Sequence, residues 1–313
     1  MAEEKNRLVL IDGHAILHRA YHALPPLTTR SGELVNAVYG FCTILLKVID
    51  DLKPQYLAVA FDTPKPVFRQ QEFIGYQAKR PKMDEELSGQ IEKVQRMVKA
   101  FEIPIFAVEG YEADDTIGTL SRLAQSSKLK AQSLEIIIVT GDRDLFQLVD
   151  KKTKLYMPIR GVSEAQLFGE KEVEEKMGVK PKQIVDYKGL VGDSSDNYPG
   201  VPGIGPKTAV ELLKKFGSLE GIYKSIKKIE NKTVKDRLKE GRKSAKLSKK
   251  LATVIRKVPI EIDWERFQLK DLRSEEVINV LKDFGFKSLV SRLSGGEPKR
   301  DKKQEGIEQE RLF

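Results

Sequence analysis

Acidic residues follow predicted strands at four places in this chain. Aspartate closes the apolar runs at 8–11 and 56–61, and acidic clusters follow the runs at 103–108 and 136–139. The carboxyl ends of parallel strands meet at one edge of an α/β sheet, so these side chains should lie close together. They are Asp12, Asp62, Glu112, Asp114, Asp115, Asp142 and Asp144. The pattern therefore predicts a parallel sheet with a negatively charged pocket at one edge.

Strand and helix patterns alternate through the first part of the chain. The run at 155–157 predicts a further short strand, and apolar spacing predicts helices at 37–49, 90–101 and 115–125. This alternation is typical of an α/β fold with a mostly parallel sheet and flanking helices. Beyond 181 helical patterns dominate. We therefore expect a core over 1–180, an all-α region over 181–293 and a disordered tail over 294–313.

The segment 63–90 interrupts this alternation. It is polar and basic, it lacks the periodicity of a core element, and it leaves a strand end beside the acidic pocket. A connection of this length next to a site is a candidate arch or lid. The alternative is a disordered loop.

Composition narrows the class of protein. The chain has 313 residues, 40% of them hydrophobic and 32% charged, with a net charge of +9. It has no apolar run of membrane-spanning length and no apolar leader, so we expect no membrane association. A single cysteine, Cys42, excludes a disulfide framework and fits a reducing cytoplasm. Nothing in the sequence indicates more than a monomer.

The acidic residues have the chemistry of a metal site. Carboxylates without cysteine or histidine support favour Mg²⁺ or Mn²⁺ over zinc. Two such ions, about 4 Å apart, stabilise both the attacking and the leaving oxygen in phosphodiester hydrolysis. Asp193 and Asp196 are further candidate ligands. Asp114 or Asp115 alone is better explained as a helix cap, but acids at four strand ends favour the metal interpretation.

Basic residues predict a nucleic-acid surface. The span 224–257 holds fourteen Lys or Arg and three Asp or Glu, a net of +11. By itself this span would be read as a solvated helical face, but beside an acidic pocket it favours a polyanion. Gly203 and Gly205 predict a tight turn before a helix at 208–216, and Lys207 stands at its start. Such a turn binds phosphate through backbone N–H groups. An ordinary turn is the alternative, and His14 is a further candidate for orienting a carboxylate or contacting phosphate.

The combined motifs resemble the 5′ nuclease domains of bacterial DNA polymerase I, within the flap endonuclease family. The matching segments are 12–14, 61–62, 111–115, 141–144, 192–201 and 203–205. The resemblance implies a PIN-like core followed by a helix-three-turn-helix DNA-binding region. It implies metal-dependent 5′-3′ exonuclease and 5′-flap endonuclease action and the removal of RNA primers. It also implies two or more Mg²⁺ ions and a K⁺ ion near Gly203 and Gly205.

One position departs from that family. A lysine is expected beside the scissile phosphate where this chain has Gln77, and glutamine carries no positive charge. We expect Lys79 or Arg80 to supply the charge instead. Arg69 is expected to contact a second phosphate, and Tyr76 to stack on a base.

The last residues resemble a peptide that binds the bacterial sliding clamp. Gln309, Leu312 and Phe313 carry this pattern, with two apolar anchors on a charged tail. The tail favours a stand-alone nuclease over a nuclease released from a polymerase, and both alternatives stay open. Two other functions compete with a flap nuclease. They are a PIN-like ribonuclease, which would lack the glycine turn, and a DNA-binding scaffold, which Gln77 alone favours.

Overall fold

Six strands form one sheet in a computed structural model that describes residues 6–126, 134–161 and 164–295. The strands are β1 (Arg7–Asp12), β2 (Tyr56–Ala60), β3 (Ile105–Phe106), β4 (Glu135–Val139), β5 (Thr153–Arg160) and β6 (Glu164–Phe168). Their order is β3-β2-β1-β4-β5-β6. The first five run parallel and β6 is antiparallel to β5. The predicted mostly parallel sheet is confirmed.

The edges of the sheet differ from the prediction. The run at 103–108 forms only the two-residue strand β3, because Pro104 has no N–H to donate and confines the segment to the sheet edge. At the other edge β5 is longer than predicted and β6 was not predicted. Only Phe168 of β6 is buried, so its sequence lacks the apolar alternation of a half-buried strand.

Helices flank the sheet and make up most of the later chain. The first seven are α1 (Gly13–Ala23), α2 (Asn36–Leu52), α3 (Phe68–Glu72), α4 (Glu85–Ser88), α5 (Ile91–Ala100), α6 (Ala113–Ser126) and α7 (Glu170–Met177). The others are α8 (Ile184–Val191), α9 (Pro206–Phe216), α10 (Leu219–Lys224), α11 (Lys232–Glu240), α12 (Arg242–Ala252), α13 (Glu275–Asp283) and α14 (Lys287–Leu293). None of the helices in the described ranges is long and apolar enough to span a bilayer. Most of the predicted tail, 296–313, lies outside the described residues.

The sheet is buried on both faces, as its strands require. Side chains alternate along β1, so Leu8 and Leu10 enter one core while Val9 and Ile11 enter the other. The first core includes apolar residues of α6, α8 and α9, and the second includes those of α1, α2 and α5. Helices α13 and α14 also join the second core, and α13 packs on α5. The last two helices therefore pack against the N-terminal part of the chain.

The segment 63–90 consists of α3, α4 and turns, and it is anchored by a small cluster of its own. Val67 and Tyr76 are buried against Tyr198 and Leu251. This contact holds the segment between the sheet edge and the helical region, beside the strand ends that carry the acids.

Candidate active site

Three neighbouring strands bring carboxylates to one edge of the sheet. Asp12 is the last residue of β1, Asp62 follows β2, and Asp142 follows β4. Because β2, β1 and β4 are adjacent and parallel, their carboxyl ends share that edge. The Thr140 hydroxyl donates to Asp12 Oδ2 at 2.8 Å, so it fastens the loop after β4 to the end of β1.

Helix α6 adds acids to the same edge. The Ala113 N–H donates to Asp62 Oδ1 at 2.7 Å, which holds the start of α6 against the end of β2. Burial raises the pKa of Asp114 well above its usual range, and the charges of Asp142 and Asp12 raise it further. Burial and the charge of Asp62 raise the pKa of Asp12 to about 7. Carboxylates from three strands and one helix therefore share one negatively charged pocket.

A lysine that the sequence analysis missed joins two of the candidate ligands. Lys188 Nζ lies 2.5 Å from Asp144 Oδ1 and also donates to Asp193 Oδ2. Burial opposes a charged Lys188, but the two carboxylates outweigh it and raise the pKa of Lys188. Burial also opposes a charged Asp193, yet the hydrogen bond from Lys188 lowers its pKa to about 2. The sequence signal that could have identified Lys188 was its position one helical turn before Gly192 and the acidic segment that follows.

Asp196 and Glu112 form a rim that is held by the segment 63–90. Gln77 Nε2 donates to Glu112 Oε1 at 3.1 Å and to Asp196 Oδ1 at 3.2 Å. The Tyr76 hydroxyl lies 3.3 Å from an oxygen of each acid. Arg80 makes an ion pair of 3.6 Å with Asp196. Burial raises the pKa of Glu112 to about 7 and raises that of Asp196.

Arg69 and Asp115 form a buried ion pair with each other. The side chain of Arg69 is 3% exposed, and its two terminal nitrogens bind both oxygens of Asp115 at 2.8 Å. The guanidinium also donates to Glu112 and to the carbonyls of Leu251 and Thr253. A phosphate contact by Arg69 and metal binding by Asp115 stay predictions, and either would require this buried ion pair to rearrange.

Tyr76 is buried, and the two candidate cations after it differ in their contacts. Tyr76 is 5% exposed and its hydroxyl is turned toward Glu112 and Asp196, so stacking on a base stays a prediction that would require the ring to become accessible. Arg80 is exposed but reaches Asp196, whereas Lys79 is exposed without an ion-pair partner among the described residues. Of the two, Arg80 stands nearer the acids.

His14 lies at the acidic edge in an orienting position. Its Nδ1 accepts a hydrogen bond of 3.0 Å from the Asp62 N–H, and its ring edge packs on Phe61. Burial lowers the pKa of His14, although the Asp62 charge opposes this. The accepting Nδ1 leaves Nε2 to carry the proton of the neutral ring. A DNA contact by His14 stays a prediction.

The glycine turn leads into a helix as predicted. Gly203 has a left-handed φ of +80°, Gly205 is the residue before α9, and Lys207 is exposed in the first turn of α9. The Gly203 carbonyl accepts a hydrogen bond of 2.8 Å from Arg237. A Cβ at Gly203 would lie 2.6 Å from that guanidinium, which is the end of a flexible side chain and can shift, so the turn favours glycine for its positive φ.

The donor set suits a hard divalent cation. Its members are carboxylates, and oxygen ligands of this kind are those that Mg²⁺ and Mn²⁺ prefer. As the side chains stand, no group of three or more His, Cys, Asp or Glu in the described ranges is close enough to hold one ion. Arg69, Lys188 and Gln77 instead draw several of the acids toward the walls of the pocket. The chemistry of the residues fits the ion, and ligation by particular residues stays a prediction.

Comparison with protein families accounts for nearly the whole described chain. Residues 7–178 match the 5′-3′ exonuclease N-terminal resolvase-like domain, and residues 179–275 match the 5′-3′ exonuclease C-terminal SAM fold. DNA polymerase I of Bacillus subtilis is 40% identical over 97% of this chain and 34% of its own length. That of Caldicellulosiruptor bescii is 42% identical over 93% and 34%. The chain thus spans about a third of the length of these relatives.

Solved structures share the fold at lower identity. A variant of the D15 flap endonuclease of bacteriophage T5, in a pseudo-enzyme-product complex with DNA and metal ions, has a TM-score of 0.66 at 16% identity and covers 93% of this chain and 97% of its own. The catalytic core of Rad2 in complex with a DNA substrate has a TM-score of 0.59 at 19% identity, covering 96% and 94%. At these identities the likeness shows a shared fold.

Proposed function

We propose that this chain, which belongs to the 5′-3′ exonuclease family, hydrolyses DNA phosphodiester bonds at 5′ ends and at the base of 5′ flaps. Removal of RNA primers at RNA–DNA junctions, in replication and repair, is part of the proposal. The observation that carries it is the set of crowded carboxylates from β1, β2, β4 and α6, in a chain with a net charge of +9. Crowded carboxylates ionise together only with cations between them, and the phosphate backbone needs those same cations.

In the described ranges no Lys or Arg forms an ion pair with the inner acids, which are Asp12, Asp114 and Asp142. Asp12, Asp114 and Asp142 would hold one Mg²⁺ or Mn²⁺, with Asp62 and Glu112 at the side. Asp144, Asp193 and Asp196 would hold a second after Lys188 moves aside. When bound, such ions lower the pKa of a water and neutralise charge on the phosphate. The protein's own part is to fix the acids: Thr140 orients Asp12, and the start of α6 orients Asp62.

Arg80 is the residue we propose to face the substrate phosphate in place of the missing lysine. Gln77 is engaged with Glu112 and Asp196 and carries no charge, whereas Arg80 is 56% exposed and already beside Asp196. Arg80→Ala should therefore lower kcat about a hundredfold, as loss of one charged donor to a transition state does. Lys79→Ala is the matched control and should change kcat little. If kcat falls equally in the two variants, Arg80 is not the residue that faces the phosphate. The same holds if Gln77→Lys raises kcat greatly while Arg80→Ala leaves it unchanged.

Duplex DNA is proposed to lie along the basic helices and the glycine turn. The 224–257 span with its net of +11 includes α11 and α12. Contacts of this kind neutralise backbone phosphates without reading sequence, so affinity should fall steeply with salt. A K⁺ ion at the carbonyls of the turn remains part of the proposal. It would share or replace the Arg237 hydrogen bond to Gly203.

The oligomeric state, the location and a protein partner are also part of the proposal. We infer a monomer that acts in the cytoplasm and reaches the sliding clamp through Gln309, Leu312 and Phe313, which lie outside the described residues. Deleting 309–313 should abolish capture by the clamp and leave cleavage of a free flap substrate unchanged. Capture that persists after the deletion would remove the clamp proposal alone.

A labelled flap substrate tests the activity itself. A duplex with a 5′ single-stranded flap is incubated with Mg²⁺ or with chelator, beside an Asp114→Asn variant that keeps the shape of the side chain. We expect metal-dependent cutting near the flap base, lost in the variant. Tight, salt-sensitive binding without cutting would instead support a DNA-binding scaffold, which the engagement of Gln77 with two acids favours. Cutting of RNA alone would support the ribonuclease.

A further inference from the structure

We propose that a cavity of about 530 Å³ between the sheet domain and the helical region binds a phosphodiester segment of the substrate strand. Arg143 and Lys176 line it from the sheet side, and Tyr187 and Lys207 line it from α8 and α9. Met177 and Val210 are apolar members of the lining. The inference rests on the proposed nuclease function and names a substrate contact that lies outside the carboxylates.

The charges in this cavity are unpaired. Within the described part of the chain, no acidic side chain forms an ion pair with Arg143, Lys176 or Lys207. Glu211 is the one acidic lining residue, so the lining carries three positive charges and one negative. By contrast, Lys188 and Arg69, beside the acids, are each bound to two carboxylates. Three cations that line one cavity without ion-pair partners indicate an anion from outside the protein.

The position of the cavity indicates which anion. Arg143 stands between Asp142 and Asp144 in the chain, so this wall adjoins the acidic pocket. Tyr187 precedes Lys188, whose Nζ is 2.5 Å from Asp144. At its other side the cavity is lined by the first turn of α9, directly after the glycine turn. A strand that passes from the acids to the glycine turn would place its phosphates against these cations.

The chemistry favours backbone phosphate over a base. The three cations come from three separate elements and carry formal positive charge, which complements the charge of a phosphate and not a neutral base. Recognition at this cavity should therefore be independent of sequence. It should contribute to the salt dependence of binding by about 0.9 in slope for each phosphate that is neutralised.

A charge-neutral variant with a matched control tests the cavity. The variant is Arg143→Gln, Lys176→Gln, Lys207→Gln, and the control is Lys99→Gln, Lys270→Gln, Lys282→Gln, three exposed lysines without ion pairs in the described residues. The control removes the same charge from the face of the sheet that packs α5 and α13. Binding of 5′-flap DNA is measured in chelator across a range of salt concentrations. We expect the slope of log Kd against log salt to drop by about 2 to 3 in the variant and by less than 1 in the control.

Neutral linkages in the DNA locate the contact. Methylphosphonates placed one at a time along the cleaved strand should weaken binding of the wild type at one to three adjacent positions. At those positions the cavity variant should show no further loss. Melting temperatures of variant and control within about 2 °C of the wild type show that the substituted, exposed residues do not support the fold.

The outcomes separate this inference from the proposed function. If the wild type cuts the flap and the cavity variant behaves like the control in slope and linkage scan, the cavity proposal is overturned and the nuclease stands. If the wild type neither cuts nor binds flap DNA, the proposed function fails, and the cavity loses its ligand with it. A larger drop in the salt slope in the variant than in the control, together with no further loss of the variant's binding at the sensitive linkages, supports both.

Discussion

Replacing Arg69 by methionine should destabilise the protein more than any change to a surface ion pair. The substitution keeps much of the aliphatic volume but leaves Asp115, which is 0% exposed, without the guanidinium that binds both its oxygens. Removing one partner of a buried ion pair typically costs about 3–5 kcal/mol, because the remaining charge stays desolvated. The carbonyls of Leu251 and Thr253 lose their donor as well. We therefore expect a loss near the upper end of that range, about 5 kcal/mol.

Equilibrium unfolding in urea at constant m measures this loss. Arg96→Met is the matched control, because the pair of Arg96 with Asp283 is 56% exposed on both sides and should contribute less than about 1 kcal/mol. A double variant, Arg69→Met with Asp115→Asn, removes the stranded charge and should recover at least half of the loss. If Arg69→Met costs no more than Arg96→Met, the inference that a buried charge depends on Arg69 is refuted.

Three further predictions concern the acids and the turn. Lys188→Met should lower the free energy of unfolding by about 3 kcal/mol in chelator, because Asp144 and Asp193 lose the cation between them. Mg²⁺ should then stabilise this variant more than it stabilises the wild type. Equal shifts of the melting temperature with Mg²⁺ in the two proteins would contradict this. Burial and repulsion raise the folded-state pKa of Asp12 from 3.8 to about 7, so its stabilising contribution is complete below about pH 4 and is lost as pH rises through 7; the melting temperature in chelator should fall from pH 6.5 to 8, and Mg²⁺ should remove that fall. Gly200→Ala should prevent folding or lower the melting temperature severely, because φ is +62° and the new Cβ would lie 2.3 Å from a backbone nitrogen. Gly205→Ala is the control, because nothing lies within 4 Å of a Cβ added there. It should lower the free energy of unfolding by about 1 kcal/mol at most.

The fold was predictable because its strands are buried on both faces. Continuous apolar runs such as 136–139, separated by helical patterns, leave few alternatives to a parallel sheet. The ends of those runs then place Asp12 and Asp62 at one edge whatever the details of packing. What the sequence did not reveal was β6, since an exposed edge strand has no apolar alternation to detect.

The partners of the acids were not predictable for a different reason. Asp114 and Asp115 are neighbours in sequence, but successive residues of a helix point about 100° apart. Asp114 faces Asp12 and Asp142, whereas Asp115 is turned toward Arg69. Arg69 in turn contacts Leu251, 182 positions away. Pairings at such separation depend on how the helical region docks, which local patterns do not specify.

The acids fall into two environments, and this division predicts the order in which ions bind. Asp12 and Asp114 are buried among like charges, so a divalent ion there relieves repulsion. Asp193 is already paired with Lys188, and an ion there must displace a protein cation. We therefore expect calorimetric titration with Mg²⁺ to show a tight phase followed by a weaker one. Asp193→Asn should remove only the weak phase and Asp114→Asn the tight one. If Asp193→Asn removed the tight phase, Mg²⁺ would displace Lys188 from Asp193 at little cost in free energy. Crowding of the inner acids would then not drive binding.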